Sequence, residues 1–125
     1  MKEYKYIAHC LNGIYQYDRA VYVNERLANM PCAQAGILKR ENGVQLVSFE
    51  TIVAEIIDGW LHIYGMFSRR TGRHISEFLK QYAPRLSTPY YTAKKLYQAN
   101  LELNINTLET RKASAGMIQI IGYMV

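Results

Sequence analysis

Three arginines stand at one helix start: Arg69, Arg70 and Arg73 follow Ser68 in the segment SRRTGRHISEFLKQY. A helix N-terminus already presents partial positive charge, so each cation there is unfavourable by ~0.3–1 kcal/mol at low salt. At ~100° per residue, Arg69, Arg73 and Lys80 share the face opposite Ile75 and Phe78. Guanidiniums beside free helix amides are the elements of an anion site, for a nucleic-acid phosphate or for carboxylates on a protein. A solvated basic face is the plainer alternative. His74 lies beside the arginines, able to donate to an anion if protonated. Tyr90, Tyr91, Lys94 and Lys95 form a second candidate patch.

The other reactive side chains are scattered. His9, His62 and His74 with Cys10 and Cys32 include zinc-ligand types, but no pair has ligand spacing on a helix face. His9 and Cys10 are neighbours, and neighbours on a strand point to opposite faces. No metal or other cofactor is expected. Glu50 and Glu55 could serve a nuclease-type metal, although surface placement is the simpler reading. No GxSxG, P-loop, GxGxxG or HExxH run is present, so the sequence points away from an enzyme.

The elements that would position these groups follow from turns and periodicity. Asn12-Gly13, Asn42-Gly43 and Asp58-Gly59 are hairpin signals, since both residue types tolerate positive φ. They separate strands over 3–10 and Ile14–Tyr17, over Gly36–Arg40 and Val44–Phe49, and over Thr51–Ile57 and the alternating run from Trp60. Asp18 is expected to cap a helix carrying Ala20, Val23, Leu27 and Met30 and stopped by Pro31, though Val21-Tyr22-Val23 also suits a strand. Ser68 caps a helix whose stripe is Ile75, Phe78, Leu79 and Tyr82, with Pro84 after it. Ser87 or Thr88 caps a second helix, with Pro89 at its first position and Tyr90, Ala93, Tyr97 and Leu101 on its inner face. Leu101–Ile105 alternates as a further strand, and Thr107–Ala113 reads as a polar connection. The apolar tail Gly116–Val125 is expected to add a strand to the sheet or to cover an oligomer interface. The fold class is therefore α+β: an antiparallel meander with two or three helices on one face, as one domain over residues 1–125.

Composition bounds the partner. The 125 residues carry 15 Lys plus Arg against 10 Asp plus Glu, and this +5 tilts toward nucleic acid or an acidic protein surface. Eleven tyrosines fit either a sheet face or an exposed binding cluster. No apolar run reaches the ~18 residues needed to span a bilayer, and no signal peptide opens the chain, so a cytoplasmic, non-membrane protein is expected. The two cysteines then read as buried thiols.

The central stretch resembles a group of small proteins carried by phages and plasmids of Gram-positive bacteria, with a pattern like S-Y-x-T followed by Y-S-x-T-T-x-[RK]-H-I-x-x-F-L. The matching residues are Ser48-Phe49-Glu50-Thr51 and the run from Phe67 through Ser68, Thr71, Arg73, His74 and Ile75 to Phe78-Leu79. Phe49 and Phe67 replace tyrosines, and Arg70 replaces a threonine. The resemblance implies a mobile-element origin and carries no activity. That origin suggests a counter-defence role: an anti-CRISPR inhibitor that binds a host Cas nuclease–guide RNA complex and blocks target-DNA loading. A small nucleic-acid-binding regulator is the alternative, and an assembly protein pairing through its C-terminal strand is a third.

Overall fold

In the computed structural model, residues 3–11, 14–23, 25–30, 34–49, 51–66, 68–113 and 118–123 are described; for 3–11, 14–23, 51 and 118–123 this concerns the backbone alone. Strand β1 (Glu3–Leu11) runs antiparallel to β2 (Ile14–Val23), with Leu11 opposite Ile14 and Glu3 opposite Val23. The Asn12-Gly13 turn and Pro31 fall outside the described residues. The helix expected from Asp18 does not form, because Asp18 lies inside β2. The β-branched and aromatic run Val21-Tyr22-Val23 pairs with Glu3–Lys5, and cross-strand partners outweigh a coincidental helical spacing. Leu27 is buried from a segment that Glu25 ties to Ile37 by two backbone hydrogen bonds, of 2.7 and 3.3 Å.

The next four strands form the expected meander: β3 (Ala35–Arg40), β4 (Gly43–Ser48), β5 (Thr51–Ile57) and β6 (Trp60–Ile63), with β4, β5 and β6 each antiparallel to the strand before. Asp58 and Gly59 both take positive φ, 52° and 83°, as a two-residue hairpin requires. The other turn differs in detail. Glu41-Asn42 makes it, while Gly43 pairs with Arg40 as the first residue of β4. Glycine is needed there for space, since a Cβ would sit 1.9 Å from the Ile56 carbonyl oxygen.

After β6 the chain leaves the sheet for α1 (Arg69–Tyr82) and α2 (Pro89–Ala99), then returns as β7 (Leu101–Asn104) beside β6 and β8 (Thr110–Lys112) beside β7. Within the sheet β3 to β8 are antiparallel neighbours in chain order, with both helices on one face: an α+β fold. The polar connection expected over 107–113 thus holds a short strand. Its residues Thr110, Arg111 and Lys112 are exposed, and a charged edge strand carries no apolar alternation to read. Strand β9 (Ile118–Tyr123) pairs with β1 along one edge and with Thr51 and Ile52 at the start of β5 along the other. The tail therefore adds a strand to its own sheet.

Helix α1 lies over β4 and β5, and α2 over β6 and β7. Ile75, Phe78 and Leu79 are fully buried against Ile37, Leu46, Ala54, Ile56, Leu61 and Ile63, so the α1 stripe is as the spacing requires. On α2 the inner face is Ala93 and Leu96. Tyr90 and Tyr97, expected inside, are 41% and 45% exposed, and Leu101 has already entered β7. The stripe through Ala93 can lean either way around the helix. It turns toward leucine because a buried tyrosine hydroxyl would need a partner. No helix among the described residues is long and apolar enough to cross a membrane.

Candidate functional site

The basic face begins at the Ser68 cap. Ser68 has extended backbone, and its Oγ accepts the Thr71 amide at 3.1 Å. That fixes where α1 starts and hence where the next side chains point. Arg69, Arg70 and Arg73 are all exposed, Arg73 near the middle of the open arc, with Arg69 and Arg70 to either side. Lys80 shares the arc but stands roughly 16 Å along the axis from Arg69 and pairs with Glu77 at 3.1 Å. It lies outside the cluster.

Gly72 joins this cluster to the second patch. It faces α2, and a Cβ at that position would lie 2.9 Å from Cε2 of Tyr90. The bare backbone of α1 thus seats the Tyr90 ring, which meets Tyr91 edge-on at 5.5 Å and 85°. Lys94 and Lys95, both exposed, follow one turn further along α2. On the other flank stands Phe49, in the connection from β4 to β5. It is 41% exposed and holds the left-handed φ of 53°, rare for a bulky side chain. Its ring lies 5.6 Å from that of His74. The sequence singled out the arginines and tyrosines, while Phe49 and the seating role of Gly72 carry no local signal.

His74 is placed differently from expectation. It is 2% exposed, and its Nδ1 lies 2.8 Å from Ser48 Oγ. Ser48 Oγ is also 3.3 Å from Thr71 Oγ1, which accepts from Ser68 Oγ at 3.2 Å. The site is therefore corrected: His74 stands beneath the arginines, inside the protein, and offers no contact to an anion at the surface. At position 74 the helix has turned away from the arginine arc toward β4. Burial holds its pKa below the ordinary imidazole value, helped by the charges of Arg73 and Arg70. A serine beside a histidine can begin a nucleophile–base pair. Ser48 and His74, both 2% exposed, give no substrate access. The cluster latches the first turns of α1 to the end of β4.

The opposite face of the sheet carries a polar row that the sequence reading missed. Gln45 lies opposite Glu55, Glu55 opposite His62, and Glu102 opposite Arg111. Arg40 Nε donates to Gln45 Oε1 at 2.7 Å, and Glu55 Oε1 accepts from Gln45 Nε2 at 3.0 Å and from the Tyr64 hydroxyl at 2.8 Å. Burial, then the Glu55 charge, pushes the Tyr64 phenol well above its ordinary range. Arg111 donates to Glu102 at 2.8 Å and stacks 3.8 Å over the Trp60 ring. His62 Nδ1 comes within 3.1 Å of Glu102 Oε2 but is too poorly aligned to make a hydrogen bond. Glu55, Asp58, Trp60, Glu102 and Arg111 line a shallow cleft of about 280 Å³ there. Polar residues at inward strand positions (Gln45, Glu55, His62) were the available signal. Among the described residues no group of three or more His, Cys, Asp or Glu is placed to hold a metal ion. The side chains of His9, Cys10, Cys32 and Glu50 fall outside the description.

Residues 11–103 match the model of a family of unknown function, DUF8033. The chain belongs to that family. The DUF8033 match spans β2 to β7 and so includes the latch, the arginine cluster and the whole helical hairpin. Nothing among curated proteins or solved structures matches the chain.

Proposed function

We propose that this protein is a non-catalytic binding protein whose α1–α2 face engages the phosphate backbone of nucleic acid. The observation that carries the reading is the seating of Tyr90 against Gly72, which makes one surface of two separate stretches of sequence. That surface combines Arg69, Arg70 and Arg73 with exposed aromatic rings and two lysines, the mixture that polyanionic strands are bound by. The only carboxylate of α1, Glu77, is engaged by Lys80. Arginine supplies forked donors suited to phosphate oxygens, and the net charge of +5 favours encounter with a polyanion.

Fluorescence anisotropy with labelled oligonucleotides at low salt tests this. Charge reversal at Arg70 and Arg73 should weaken binding at least tenfold, and Lys80→Glu should change it little. No binding by the wild-type protein would overturn the reading. A narrower form is an anti-CRISPR inhibitor that docks the same face on guide phosphates of a Cas nuclease complex and blocks target loading. The basic face and the resemblance to mobile-element proteins support it. Its mark would be inhibition of guide-directed cleavage only when the protein is added before target DNA.

A further inference from the structure

We infer that the nucleic acid taken by this face is single-stranded, with unpaired bases stacking at both margins of the arginine cluster. This rests on the reading above and narrows it. Around the first turns of α1, Gly72 and the seated Tyr90 lie on one side of the exposed arc, and His74 with the Phe49 ring lies on the other. Arg69, Arg73 and Arg70 fill the arc between them, in that angular order. A strand crossing α1 transversely meets tyrosine, three guanidiniums and then phenylalanine over about one helix width of 10–12 Å. That distance suits about two to four nucleotides.

The rings are presented, not merely uncovered. Tyr91 is 64% exposed, Tyr90 packs on the α1 backbone at Gly72 and meets Tyr91 edge-on, and Phe49 stands on a left-handed backbone at a turn. A duplex hides the faces of its bases and would use the arginines alone, leaving three aromatic rings idle. Unpaired bases offer a π-face to each ring and phosphates to the cations between, and such stacking tolerates any sequence. Guanidiniums beside the rings can share the stacking.

The probes are a labelled 12-nucleotide DNA strand, the RNA strand of the same sequence, the DNA duplex, and a 12-nucleotide abasic strand that keeps only sugar and phosphate. The variants are Tyr91→Ala, at the most exposed ring, and Phe49→Asn, since asparagine accepts the left-handed backbone. Thermal melting checks that both remain folded. The single strands should bind at least tenfold more tightly than the duplex or the abasic strand. Each variant should lower single-strand affinity by about tenfold while leaving duplex and abasic binding unchanged. The DNA and RNA arms tell which strand is preferred. Equal or tighter duplex binding, insensitive to both variants, would overturn this inference and leave phosphate binding standing. Absence of binding to every probe would instead overturn the proposed function itself.

Discussion

Removing one hydroxyl tests whether the buried contact between Ser48 and His74 is architectural. Ser48→Ala deletes the group that lies 2.8 Å from His74 Nδ1 and 3.3 Å from Thr71 Oγ1, in a site where Ser48 and His74 are each 2% exposed. A buried polar atom deprived of its partner costs about 1–3 kcal/mol, so the variant should lose about that much stability. With ~2.1 cal/mol/K of unfolding entropy per residue, the 125-residue chain carries about 0.26 kcal/mol/K, and Tm should fall by about 4–11 °C. Differential scanning calorimetry reads this directly. A double-mutant cycle with His74→Phe should give a coupling energy of about 1 kcal/mol or more, because the double variant no longer leaves one member of this pair facing an absent partner. A Tm within 1 °C of wild type, or strict additivity in the cycle, would refute the latch.

Other outcomes follow from the same geometry. The folded pKa of His74 lies below its ordinary value of 6.5, so its stabilising contribution is complete above that pH. It declines as pH falls from 6.5 toward the folded pKa, where the unfolded chain takes up a proton that the folded one refuses; Tm measured from pH 7.5 to 5 should show this and flatten in His74→Gln. The Tyr82 hydroxyl donates to Glu25 at 2.5 Å, which holds the Glu25 carboxyl below its ordinary range while burial raises the phenol to about 12. Tyr82→Phe should raise the Glu25 pKa, followed by NMR titration, at a stability cost of about 1 kcal/mol because that carboxylate is partly solvated. Gly43→Ala should destabilise by more than about 3 kcal/mol, since its Cβ meets the Ile56 carbonyl, whereas Gly72→Ala should be nearly neutral in chemical denaturation. There the ring of Tyr90 can move, and the helix gains about 1 kcal/mol of propensity.

The meander was legible because its turn residues and its apolar alternation agree: Asp58-Gly59 takes the backbone its residue types favour, and β3 to β6 bracket the turns. Helix α1 was legible for the same reason, with the Ser68 cap and the stripe from Ile75 to Leu79 pointing to one register. Where two periods competed, long-range pairing decided. Val21-Tyr22-Val23 became strand because β1 was there to receive it, a fact about residues 3–6 that no window around Asp18 contains. Strand β8 carries only exposed polar residues, so nothing marks it except the edge of β7. The candidate site divides in the same way. The arginines are visible as charges at a helix start, but the burial of His74 depends on Ser48, twenty-six positions earlier in the chain. The union of the two basic patches depends on a glycine letting a tyrosine approach, a contact between helices rather than a motif. The polar row under the sheet needs the registers of six strands at once.

The claim that α1 and α2 present a phosphate-binding face is tested most directly by the salt dependence of oligonucleotide affinity. Plotted against log salt concentration, log K should fall linearly, with a slope of about −0.7 per phosphate contact for a single strand. Substituting Arg69, Arg70 and Arg73 together by alanine should make the slope shallower by about 2. Lys80→Ala should leave the slope unchanged. A slope near zero in the wild type, or one untouched by loss of the three arginines, would contradict the account.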